Sequence, residues 1–200
     1  MVKDECRLTV GGKWFFPSVE YGEIQGELGG EVQVRNTVTV LSAIHILRTE
    51  LGVDIIPEAV HEGFAHVTKL TGLMGRWQTL RSKPTVICDT GHNVGGWEHL
   101  AEHLKVLRQY CGQIYMIVGM VKRQGYRWRI ILDAARRFFI FFTQASVERA
   151  MPVEDFAVKA MRHGLSGTLC DTVQDAVEKA LRRARENDLI FIGGSTFIVA

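Results

Sequence analysis

Asp89, His92 and Asn93 stand among three glycines in the run Cys88-Asp89-Thr90-Gly91-His92-Asn93-Val94-Gly95-Gly96, which follows a short apolar run and precedes a long amphipathic one. An ionised carboxylate accepts hydrogen bonds from a hydroxyl or an ammonium, and an imidazole can donate to an anion. Glycines allow tight turns and let a ligand approach the backbone closely. The same residues also serve as a plain strand-to-helix turn in which Asp89 or Asn93 caps the helix. The spacing is not Gly-x-Gly-x-x-Gly, so it carries no dinucleotide fingerprint.

Three other groupings could do chemistry. His99-Leu100-Ala101-Glu102-His103 matches the His-x-x-Glu-His pattern of inverted zinc peptidases, with both imidazoles one helical turn apart. Glu98, His99, Glu102, His103 and Lys105 also form one polar side opposite Leu100, Leu104 and Leu107, which a solvated helix face explains, and no third ligand is evident. No metal ligand is assigned. Gly193-Gly194-Ser195 ends an apolar run without the Gly-x-Ser-x-Gly context of a nucleophile elbow, so it reads as a tight turn carrying a hydroxyl. Arg76, in Gly75-Arg76-Trp77-Gln78, can fork onto a phosphate or form a surface ion pair.

The elements that must position these residues follow from periodicity. Residues 1–34 hold short alternating runs, CRLTVGGKWFF and EVQV, separated by glycine-rich turns, and are expected to form strands. From Asn36, a plausible N-cap, the spacing of Val38, Leu41, Ile44, Ile46 and Leu47 predicts a helix that Gly52 ends, and a second helical pattern, EAVHEGFAHV, begins after Pro57. TKLTGLMGRWQTLRSKP is expected to be a hinge. Beyond it, TVIC, IYMIVG, FFIFFT and DLIFIGG are strand candidates. They alternate with the helix candidates WEHLAEHLKVLRQY, RWRIILDAARR, PVEDFAVKAMRHG and TVQDAVEKALRRAREN. Such alternation predicts an α/β fold with a mostly parallel sheet covered by helices on both faces.

Composition narrows the function classes. A chain of 200 residues, 46% hydrophobic and 23% charged, is ordinary globular material. A net charge of +2 with no basic stripe argues against nucleic acid. Cys6, Cys88, Cys111 and Cys170 show no Cys-x-x-Cys pairing, which suggests a reducing, cytoplasmic setting. No apolar run approaches membrane-spanning length, so no membrane partner is expected.

Taken together, TGLMGRWQTLRSKPTVICDTGHNVGG, the later Gly119-Met120, FTQASVERA and DLIFIGGSTF resemble the carboxyl-terminal portion of the folylpolyglutamate synthase and dihydrofolate synthase family, within the Mur ligase superfamily. The resemblance implies a tail of the central ATPase domain in residues 1–70 and a Rossmann-like carboxyl-terminal domain in residues 73–200. It implies ligation through an acyl phosphate, with ATP and Mg2+ as cofactors and folate or dihydropteroate and L-glutamate as partners, in a cleft between domains. Residue by residue, it places Asn36, Arg76 and Asp89 at ATP, makes Asp89 and His92 catalytic candidates, and places His92 and Ser195 at the glutamate.

The family's Gly-Lys-Ser or Gly-Lys-Thr phosphate loop does not occur in this sequence, and Lys122-Arg123-Gln124-Gly125 stands where relatives carry acids. The expectation is a ligase fragment inactive on its own. The alternatives are a non-catalytic module that binds a nucleotide or a small acid and, more weakly, a zinc site at His99 and His103.

Overall fold

The computed structural model describes residues 6–8, 14–29, 32–92, 94–122, 135 and 137–199. The chain divides into two compact units, Met1–Arg76 and Trp77–Ala200. Asn93, Arg123, Gln124, Gly125 and most of the helix candidate RWRIILDAARR lie outside the described residues.

In the first unit, β1 (Arg7–Leu8), β2 (Trp14–Ser18) and β3 (Gly22–Gly26) form an antiparallel sheet in that order. Trp14, Phe16, Tyr21 and Ile24 bury against Val34 of α1 (Val32–Thr49) and Val60 of α2 (Pro57–Ala65). Gly26 permits this packing, since a Cβ there would lie 2.6 Å from the Phe16 ring. The Arg48 guanidinium donates to Glu20 and to the Tyr21 hydroxyl, and the Glu27 carboxylate accepts from the backbone and hydroxyl of Thr68 in α3 (Val67–Thr71).

Two expectations fail in this unit. EVQV is not a strand: Val32 to Val34 already belong to α1, so Asn36 is a helix residue and not an N-cap. Valines alternating with polar residues satisfy both periods over so short a run, and tertiary packing of Val34 decides for the helix. Gly52, at φ +64°, does lie just past the helix, where the Val53 N–H returns to the Leu47 carbonyl. The apolar face of this segment is split. Leu41 and Ile44 pack against the unit's own cluster, whereas Val40, Ile46, Leu47 and Leu51 are exposed.

In the second unit β4 (Gln78–Ser82), β5 (Thr85–Asp89), β6 (Ile114–Val118), β7 (Phe139–Phe142), β8 (Thr168–Leu169) and β9 (Leu189–Gly193) form one sheet, ordered β4-β5-β9-β6-β7-β8. All neighbours run parallel except β4, which pairs antiparallel with β5. Thus part of the expected hinge is an edge strand. Its residues Gln78 to Ser82 are mostly exposed and carry only one large apolar side chain, so no alternation marks it in the sequence.

The four central strands alternate between two cores. Ile87, Met116, Phe142 and Phe191 face α4 (Val94–Leu107) and α5 (Val153–Arg162), while Val86, Ile117, Phe141 and Ile190 face α6 (Val173–Arg183) and α7 (Thr196–Val199). Helix starts are satisfied locally: Gln144 Oε1 accepts from the Val153 N–H at 3.0 Å, and Thr172 Oγ1 from that of Asp175 at 3.1 Å. No helix among the described residues is long and apolar enough to cross a membrane.

Met116 is wholly buried in the middle of the sheet. Met116→Ala should lower unfolding free energy by about 2–5 kcal/mol, the usual loss for such a truncation, as a reduced urea midpoint with unchanged slope. A midpoint within error of the parent would show that this face of the sheet is not the core.

Candidate functional site

The carboxyl ends of β5, β9 and β6 lie side by side, and the sequence's glycine-rich turns meet there. Asp89 pairs in register with Gly193, as does Val118. β9 lies between β5 and β6, and the helix after β5 packs on one face of the sheet while the helix after β9 packs on the other, the arrangement in which open α/β sheets leave a crevice. Close approach explains the glycines. A Cβ on Gly194, at φ +103°, would lie 2.7 Å from the Gly119 carbonyl oxygen, and one on Gly119 would lie 2.6 Å from that of Thr143.

Asp89 is held by backbone donors on two sides. Its Oδ2 accepts from the Trp77 N–H at 2.8 Å and its Oδ1 from the Gly91 N–H at 2.7 Å. Gly91 must be small for this: a Cβ would lie 2.8 Å from Leu100 Cδ1 and 3.0 Å from Asp89 Oδ1. Trp77 has a left-handed backbone, φ +51°, and its indole stacks on the His103 imidazole at 4.1 Å and 5°. The sequence reading missed this contact. It makes His103 half-buried rather than part of a simple solvated face.

His92 is exposed, and its Nδ1 donates to the Thr90 carbonyl at 3.0 Å. In the neutral ring Nε2 is then the acceptor, and in the charged ring it is a second donor. Ser195 is buried at 3% exposure, and its Oγ accepts from the Phe197 N–H at 3.3 Å, which leaves the hydroxyl proton to donate. Asp89, His92 and Ser195 therefore share one end of one sheet. Asn36 and Arg76 belong to the first unit. Both are exposed, and the Asn36 amide donates to Gln33 Oε1 at 2.9 Å.

Beyond β6, Lys122 donates its N–H to the Arg149 carbonyl and its Nζ to that of Glu148, and the Arg149 guanidinium lies over the Phe197 ring at 4.1 Å. Burial pushes the Cys88 thiol up and the Asp89 charge adds to this; burial also raises Cys170. Both therefore stay as thiols near neutrality, unsuited to nucleophilic attack. Among the described residues no three His, Cys, Asp or Glu side chains gather as a metal would need.

Comparison with known proteins identifies relatives of this arrangement. The family described as Mur ligase, glutamate ligase domain, matches residues 75–196. The dihydrofolate synthase/folylpolyglutamate synthase of Haemophilus influenzae is 23% identical over 198 residues, covering 85% of this chain and 41% of its own length. Folylpolyglutamate synthase of Mycobacterium tuberculosis, solved with ADP, superposes with a TM-score of 0.75 at 25% identity over 97% of this chain and 45% of that one. The bifunctional synthase of Yersinia pestis, solved with AMPPNP and a Mn ion, gives a TM-score of 0.68 at 20% identity over 91% of this chain and 41% of that one. The chain thus spans about two-fifths of the length of the curated relatives it matches.

Asp89→Asn would turn an amide NH2 toward one of the two backbone donors. It should cost about 1.5–3 kcal/mol, the range for a hydrogen bond to a charged group, read from urea unfolding. Gly91→Ala should cost about 1–3 kcal/mol through overpacking against Leu100. An unchanged midpoint in both variants would show that the carboxylate does not hold this turn.

Proposed function

The chain belongs to the Mur ligase family through its glutamate ligase domain, and on that premise we propose that it is the carboxyl-terminal part of an ATP-dependent ligase that adds glutamate to folate. The wider reading includes dihydropteroate as an acceptor, an acyl phosphate as the intermediate, and a cytoplasmic setting. One observation carries the proposal: Asp89, His92 and Ser195 gather with Gly193 and Gly194 at the carboxyl end of the sheet, where backbone hydrogen bonds hold Asp89 and Ser195.

The residues divide the work by their chemistry. Asp89 has both oxygens on backbone amides, so its part is to shape the turn and present negative charge beside the nucleotide rather than to carry a proton. His92 Nε2 can take a proton from an ammonium or donate to a carboxylate, which suits the incoming glutamate. The Ser195 hydroxyl can donate to the same amino acid. In the first unit Asn36 retains its side-chain carbonyl for the adenine amino group, and the exposed Arg76 can fork onto phosphate oxygens. ATP, when bound, supplies the phosphoryl group that activates the carboxylate. The magnesium that accompanies it takes its protein ligands, on this reading, from the amino-terminal part of such an enzyme.

The runner-up is a module that holds a nucleotide or a small acid without turnover. Lys122, where relatives carry an acid, favours it.

Titration of the 15N-labelled chain with MgADP and then L-glutamate should move the amides of Gly91, His92, Gly194 and Ser195 while leaving those near Asp188, at the opposite end of the strands, in place. Shifts confined to the Asp188 end, or none, would overturn the site assignment. The chain alone should not incorporate glutamate into folate, because each missing phosphoryl-stabilising donor costs on the order of 10²–10³ in rate. Incorporation at the rate of a full-length relative would refute the fragment reading. Nucleotide binding that never supports ligation, even when the remaining part of such an enzyme is supplied, would favour the module.

A further inference from the structure

The flat contact between His103 and Trp77 has no part in the site chemistry above, yet it bears on the most constrained backbone in the unit. The two rings lie at 4.1 Å with 5° between their planes. Phe191, fully buried in β9, tilts against the same indole at 6.0 Å and 35°. Trp77 is therefore held by a ring from α4 and a ring from the central strand.

Among the described residues Trp77 is the one non-glycine with positive φ, a conformation an aromatic residue adopts only when its surroundings over-determine it. Its N–H is also the donor to Asp89 Oδ2. Were the indole released, the backbone would relax toward ordinary φ and that N–H would turn away from the carboxylate.

We propose that His103 is a positioning residue: by stacking on Trp77 it holds the left-handed turn whose N–H fixes the Asp89 carboxylate at the carboxyl end of the sheet. An imidazole suits the task because it is flat and stacks on one indole face by dispersion, and in its protonated form it is drawn further by that electron-rich surface. Asp89 stays bonded to the Gly91 N–H in any case, so loss of His103 loosens one side of the carboxylate while the strand beneath it stays paired. The effect on Trp77 stands apart from the ligase reading. The effect on ligand affinity rests on it.

The experiment compares the full chain with His103→Ala, which preserves helix propensity, and His103→Phe, which preserves a flat ring. In His103→Ala, amide exchange at Trp77 should accelerate about threefold to tenfold relative to Gly91 and Ile190, the equivalent of an aromatic pair's contribution. The Trp77 indole N–H resonance should move as the ring current is lost. MgADP should bind more weakly by a comparable factor, and His103→Phe should restore all three readings.

Exchange at Trp77 that is unchanged in His103→Ala, or that accelerates equally with Ile190, would reduce the stack to ordinary packing and overturn the proposal. So would failure of His103→Phe to restore it. If the parent chain binds no MgADP, the nucleotide assignment fails while the exchange and resonance readings still decide the role of His103.

Discussion

Two backbone N–H groups at the top of β5, those of Trp77 and Gly91, are reached by no strand ladder, and the Asp89 carboxylate satisfies both. A buried or half-buried donor left unpaired is costly, so the acid fixes where β4 enters the sheet and how the chain leaves toward α4. The opposite end of the sheet uses the same device. Asp188 accepts from the Gln113 N–H at 2.8 Å and the Arg185 N–H at 2.7 Å, joining the start of β6 to the approach to β9. What distinguishes Asp89 is therefore its company: His92, Ser195 and a cluster of glycines whose missing side chains leave room beside it.

That room is a matter of strand order as much as of residue type. β9 lies between β5 and β6, so the three turns that follow these strands crowd together, and Gly119, Gly193 and Gly194 each sit where a Cβ would press on a neighbour within 3 Å. Polar groups can converge there only because the backbones approach so closely. The chemistry expected of a glutamate ligase domain, holding a carboxylate, an amine and a phosphate in line, asks for this kind of preorganised edge.

Much of this was legible in the sequence, and the failures have physical causes. The central strands announce themselves as continuous apolar runs because both sheet faces are covered, and the Asp89 turn is marked by its glycines. Edge strand β4 is exposed and has no apolar rhythm. The four residues of α7 are too few to show a helical period. Val32 to Val34 fit strand and helix alike, and only the packing of Val34 chooses. The Trp77–His103 stack joins residues from an edge turn and a helix that no spacing rule connects, and the polar-face pattern of α4 pointed His103 toward water.

The last strand in sequence is a central one in space. Leu189 pairs with both Thr85 and Ile114, so β5 and β6 have no partner on their facing edges until residues far downstream arrive. Until β9 is in place the facing edges of β5 and β6 are open to edge-to-edge association, and closing the sheet depends on contacts of long sequence separation. A chain cut before residue 189 would therefore leave β4 and β5 without a hydrogen-bonded path to the rest of the sheet.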